Sequence, residues 1–376
     1  MSRTTIIAVT ALAGGLAIYY IATGRRRRRE HRERRERSLL KLCQSLPKAE
    51  LHAHLHGCAR LSTIAELAPA GVDTSALTVA SGDNRSLDAC FGIFAAIHKT
   101  VTNHKAVERV CREVLEDFAA DNVQYLELRT TPRALDDADA EGYIRVVIRE
   151  LEEFQFKPGN TMRVRLLLSI DRTGSLEKAL ETVQLAAKFR QAYVVGVDFS
   201  GNPTKGSFAQ FVPAFALARE FGLKVVVHSG EVDHPEDTAS ILSFRPERLG
   251  HALLLSESDF ENLRFAPIPI ELCPTSNVMT LRIPKSDMSM HPTMRTLIEN
   301  NYPVSISTDD STVFNTTSSN ELYKAACACE LDEAGVVALA KAAWSHGFDQ
   351  GGGWEKAFDQ AARRAVEATA EGGVVV

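Results

Sequence analysis

Residues 46–57 read LPKAELHAHLHG, a short run that ends in three histidines spaced by two. Side chains alternate between the faces of a strand, so His52 and His54 share one face and can grip a single ion. The strand predicted here, Ala49–His54, is the first of eight. The others fall at Gln124–Arg129, Arg163–Ile170, Val194–Phe199, Lys224–His228, Arg248–Gly250, Ile268–Leu272 and Val304–Ser307. Between them stand stretches such as Ala106–Ala119, Leu176–Phe189 and Phe208–Phe221, with apolar residues near helical spacing. Strands alternating with helices predict an α/β fold, and eight of them predict a closed (β/α)8 TIM barrel. The long stretch between the first two strands, Leu61–Asn122, is expected to hold several helices.

Active sites of such barrels gather at the C-terminal ends of the strands. His228 ends the predicted fifth strand, His251 follows the sixth, and Asp309 and Asp310 follow the eighth. Three neutral imidazoles and a carboxylate, from His52, His54, His228 and Asp309, suit one zinc ion per chain with a position left for water. His56, read on the same strand face, is surplus to one zinc and is assigned to the substrate side. Glu231 follows in HSGE, where Ser229-Gly230 allows a tight turn toward the metal. Burial in a barrel mouth would raise its pKa enough for it to donate a proton. His251, in RLGHA, is placed to take a proton from water or to stabilise the hydroxide. Asp310 points away from Asp309 and so toward substrate. Zinc brings the pKa of bound water toward neutrality, so the set reads as a hydrolase. These residues alone also admit a two-metal phosphoesterase with a bridging lysine, although the fourth strand, VVGVDFS, has none. A tethered binding protein that has lost catalysis is a further alternative.

Composition narrows the choice. The 376-residue chain carries a net charge of −5 and is 45% hydrophobic, which argues against a nucleic-acid binder and for a large core. Seven scattered cysteines without CxxC spacing argue against a disulfide framework. Cys327 and Cys329 are expected to be buried on a helix. The N-terminus is unlike the rest. Thr5–Thr23 has no charge over 19 residues, and residues 25–37, RRRRREHRERRER, hold nine Arg against three Glu. That length approaches a bilayer span, and the Arg cluster puts the body that follows on the cytosolic side. Residues 1–24 are therefore expected to form a hydrophobic membrane anchor, 25–38 a basic juxtamembrane segment, and 39–370 one catalytic domain. A monomer is expected.

The motifs LPKAELHAHLHG, HSGEV, RLGHA, ELCPTSN and STDD, in that order, resemble the adenosine/AMP deaminase family over residues 46–345. NRSLDACFGIFAAIHKT, YLELRTTPR, LLLSIDR, VDFSGNP and STDDSTVFNTTSSNELY are similar to its N6-methyl-AMP deaminase branch. The resemblance implies zinc bound by His52, His54, His228 and Asp309, with Glu231 as proton donor and His251 assisting. It implies that Asp310 and Gly201 hold a purine, and that His98, Thr130, Thr131, Pro132, Arg133 and Asp171 line a nucleotide site with His54 and His56. Arg133 is a candidate phosphate partner, since its guanidinium matches phosphate geometry. His56 departs from the family pattern, which has Asp or Asn there; a His could donate to a 5′-phosphate, more strongly when protonated. The implied reaction is hydrolysis at C6 of a purine nucleoside monophosphate, N6-methyl-AMP giving IMP and methylamine, with adenosine or AMP as alternative substrates.

Overall fold

The computed structural model describes residues 30, 33–70, 72 and 86–371. The expected anchor, residues 1–24, lies outside them, as do residues 25–29 of the basic segment. Among the described residues no helix is long and apolar enough to cross a membrane.

Eight strands form: β1 (Lys48–His54), β2 (Val123–Thr130), β3 (Arg163–Asp171), β4 (Val194–Ser200), β5 (Lys224–Ser229), β6 (Arg248–His251), β7 (Ile270–Leu272) and β8 (Val304–Ile306). They lie in chain order, β1 to β8, each parallel to the next. The sheet closes just beyond β8, where Ala53 bridges Asp309 in parallel fashion. Asp309 N donates to His52 O at 2.8 Å, and His54 N donates to Asp309 O at 3.0 Å. The fold is the predicted (β/α)8 barrel.

The helices begin where the sequence supplies caps. Asn103 caps His104–Ala120, and Ser175 caps Leu176–Phe189, each side chain accepting from a main-chain N–H in the first turn. Phe208–Phe221 is not one helix. It is a 3₁₀ turn, Phe208–Phe211, followed by Val212–Glu220 with Pro213 in its first turn, where a missing N–H costs nothing. The insertion between β1 and β2 holds Leu61–Leu67, Leu87–Thr100 and His104–Ala120.

Three local expectations are corrected. β7 starts at Ile270 rather than Ile268, because Pro269 has no N–H for the ladder. His56 does not extend β1. Leu55 turns to φ −49°, ψ −50°, and His56–Cys58 forms a 3₁₀ turn, so the alternation of faces stops at His54. Cys327 is exposed although Cys329 is buried, because they straddle the end of the helix Ser318–Ala328.

Parallel barrel strands are covered by helices outside and packed against one another inside, so they read as apolar runs. This barrel breaks the rule on its inner face. His52, Glu127, Arg129, Asp198, Arg248 and Glu271 are all buried there. The charges are paired: Arg129 bridges Asp198 at 2.9 Å and Glu271 at 2.8 Å, and Arg248 holds Glu271 at 2.6 Å and also Glu127. An unpaired charge at such depth would cost several kcal/mol, so the set stands or falls together.

Candidate active site

Strand ends bring the predicted ligands to one point. His54 Nε2 lies 3.3 Å from His228 Nε2 and 3.5 Å from Asp309 Oδ1, and His52 Nε2 lies 3.4 Å from the same oxygen. Two of these imidazoles, His52 and His228, have a carboxylate behind them. His52 Nδ1 donates to Glu271 Oε2 at 2.8 Å, and His228 Nδ1 lies 3.1 Å from Asp198 Oδ1. These carboxylates fix which ring nitrogen points at the shared centre. Arg129 in turn ties both carboxylates together.

Residues present fit a metal ion. His52 Nε2 is buried with no hydrogen-bond partner, an arrangement that costs free energy unless something fills it. Burial, only partly opposed by Asp309, drives the His54 imidazole down to about 3, so it is a neutral ligand at any ordinary pH. His52, His54 and His228 present ligand atoms within 4.8 Å of one another, as do His52, His251 and Asp309. Nitrogen and carboxylate donors in this number suit zinc or a similar divalent ion.

The backbone is strained where it delivers these groups. His251 has φ +61°, Ala252 φ +52° and Asp309 φ +63°. The left-handed region costs a non-glycine residue about 1–2 kcal/mol, and such outliers gather at functional sites. Ser276 Oγ donates to Asp309 Oδ2 at 2.7 Å and steadies that carboxylate from the β7 side.

A cavity of about 330 Å³ opens from this centre and takes in Glu231, His251 and Asp310. Burial raises the Glu231 carboxyl above its ordinary range, and the neighbouring Asp309 carboxylate adds to the effect. Glu231 Oε1 stands 3.8 Å from His251 Nε2. Burial also raises Asp310 well above the usual carboxylate range, again helped by Asp309. Neighbouring carboxyls whose surroundings push their pKa values apart are the arrangement acid–base chemistry requires.

His54, His56, His98, Thr130, Thr131, Asp171 and Gly201 also line the cavity, as the sequence predicts. Pro132 and Arg133 are not among its lining residues. Arg133 turns its guanidinium onto the carbonyls of His98 at 3.1 Å and Val101, with His56 Nε2 at 3.4 Å, so it braces the wall beside His56 and His98. His56 packs edge-on to His98 at 5.0 Å. Burial, with His98 and Arg133 close by, holds its imidazole well below its usual range. These surroundings disfavour the charged form of His56. The insertion helix Leu87–Thr100 supplies an apolar wall through Phe91 and Phe94, which the sequence reading left without a role.

Gly57 shows how tightly the substrate side is built. A Cβ there would lie 1.6 Å from Asp310 Oδ1. Gly57→Ala is expected to displace Asp310 and lower kcat/KM by about 10²-fold, the usual cost of an ångström of misplacement, with metal content unchanged. Steady-state kinetics with metal analysis checks this; an unchanged kcat/KM would remove Asp310 from the site.

A parallel barrel whose strand ends deliver a His/Asp cluster and a raised carboxyl defines a (β/α)8 barrel of the metal-dependent hydrolase type. Residues 47–365 match the family model described as adenosine deaminase, and the chain belongs to that family. It is a hydrolytic purine deaminase. The Arabidopsis thaliana protein named N6-mAMP deaminase is 39% identical over 328 residues, covering 80% of this chain and 92% of that one. The Homo sapiens N6-methyl-AMP deaminase is 33% identical over 315 residues, covering 78% and 86%. The crystal structure of Arabidopsis ADAL complexed with IMP superposes with a TM-score of 0.77 at 38% identity, covering 88% of this chain and 98% of that one.

Proposed function

We propose that the chain hydrolyses the C6–N bond of a purine nucleoside monophosphate, converting N6-methyl-AMP to IMP and methylamine. The observation that carries this reading is Glu231. Its carboxyl is raised by burial and faces the same cavity as the His/Asp cluster and Asp310. The IMP held by the 38%-identical Arabidopsis structure is the product such a reaction would leave.

In this reading His52, His54, His228 and Asp309 hold one zinc ion. When bound, the ion supplies a Lewis acid that makes water a nucleophile near neutral pH. Glu231 delivers its proton to ring nitrogen N1, which breaks aromaticity and opens C6 to attack. His251 presents its Nε2 toward Glu231 and Asp309 and assists the attacking water. Asp310, with its carboxyl pushed upward, can offer an O–H to the purine ring. Gly201, at φ +99° with a Cβ position 2.5 Å from Asp171 Oδ1, brings main chain close to the base where no side chain fits. His56, His98, Thr130, Thr131 and Asp171 form the nucleotide end.

Comparing kcat/KM for N6-methyl-AMP, AMP and adenosine on the purified protein tests the substrate. N6-methyl-AMP is expected to exceed both by at least about tenfold, roughly 1.4 kcal/mol in transition-state binding. Adenosine as the best substrate would overturn the nucleotide reading, and AMP as the best would overturn the methylated one.

A further inference from the structure

We propose that His291, outside the cavity lining, is a positioning residue that sets the tautomer of His251 through Asn277. The inference rests on the reading that His251 assists the reaction. It is carried by a chain of hydrogen bonds whose directions are fixed at the far end by main-chain donors.

Main-chain N–H groups can only donate. Met294 N donates to His291 Nδ1 at 3.1 Å and Thr293 N approaches the same atom at 3.3 Å, so Nδ1 is the acceptor nitrogen of that ring. Burial lowers the His291 imidazole to about 4, so the ring is neutral and its one proton sits on Nε2. That Nε2–H donates to Asn277 Oδ1 at 3.0 Å. Cys273 N donates to the same Oδ1 at 3.2 Å. Two donors on one atom identify it as the amide oxygen, so Asn277 must turn its NH₂ to His251 Nδ1, 2.9 Å away. His251 Nδ1 is then an acceptor, and its proton stands on Nε2, facing Glu231 at 3.8 Å and Asp309 at 4.0 Å. All three side chains are buried, so water does not compete for these bonds.

The consequence is a single permitted role. His251 can donate from Nε2, and it cannot accept a proton there without losing the Asn277 bond. Of the two functions the sequence allows it, the chain selects stabilisation of the attacking oxygen over removal of a proton.

The test uses the zinc-loaded full-length protein with 15N-labelled histidine, where nitrogen shifts and long-range couplings report the tautomer of each ring. His251 is expected in the Nε2–H form. Asn277→Asp replaces the NH₂ donor by an acceptor and is expected to switch His251 to Nδ1–H, with zinc content kept and kcat lowered by about 10²–10⁴-fold, the range seen when a catalytic His is held in the wrong tautomer. His291→Phe, which takes away one of the two donors to Oδ1, is expected to populate both tautomers and lower kcat by about tenfold with KM within twofold. His291→Gln, which can still donate, is expected to restore the Nε2–H form. Wild-type His251 in the Nδ1–H form would overturn the proposal, as would a tautomer that none of these substitutions moves. A tautomer that switches while kcat stays constant would leave the relay standing and remove His251 from the reaction.

Discussion

Glu231→Gln is expected to lower kcat by about 10²–10⁴-fold while leaving the fold, the metal content and nucleotide binding in place. Gln keeps the size of the side chain and can still donate a hydrogen bond, but it cannot transfer a proton to a ring nitrogen. The effect should fall on kcat more than on KM, because the proton moves in the transition state and contributes little to ground-state binding. Glu231 is suited to the task because burial and the neighbouring Asp309 both disfavour its charged form. The measurement is kcat and KM on N6-methyl-AMP, with zinc quantified on the same sample. Unchanged turnover would take Glu231 out of the mechanism, whereas loss of zinc alongside activity would make it a ligand instead of a proton donor.

Removing the metal should have an effect at least as large. A chelator-treated protein is expected to lose activity below detection and to recover it with one equivalent of zinc per chain. His228→Ala is expected to lose both zinc and turnover without recovery. The reason lies in the geometry: His54 Nε2, His228 Nε2 and His52 Nε2 converge with Asp309 Oδ1 on one point, where a bound cation would offset the crowding of donor atoms. The apo protein should also melt lower, since a ligand present at a thousand times its Kd stabilises the native state by about 4 kcal/mol. Differential scanning with and without zinc reads this. Two metal equivalents per chain for full activity would instead favour the two-metal hydrolase that the residue types alone allowed.

Most of the barrel was legible because its strands are short β-branched runs that recur in register with helical stretches. The ligands were legible because each stands at the end of such a run. What escaped the sequence has identifiable causes. The face of His56 was misassigned because period two was carried past His54, and nothing in LHG announces that Leu55 leaves the strand. The contacts of Arg133 with the His98 and Val101 carbonyls were not legible, because guanidinium chemistry says what an Arg can bind but not which way it turns. The carboxylates behind the candidate ligands, Asp198 and Glu271, carry no assigned role in the sequence analysis. A signal for them existed. In a parallel barrel the outer face packs on helices, so a charge in mid-strand among apolar residues, as in VVGVDFS, YLELR or IEL, points to the interior. Their pairing still needed the structure, because two charges on different strands meet only through register.

The closure of the sheet has a consequence for how the protein is assembled in time. Asp309 supplies both the last of the four candidate metal ligands and the main-chain groups that stitch the end of β8 to β1. Its partners His52 and His54 lie more than 250 residues earlier in the chain, and contacts of such long sequence separation form slowly. The full ligand set therefore exists only after the final strand has docked. A ribosome releasing this chain presents two histidines long before their acidic partner, so the four candidate ligands come together only when the ring has shut.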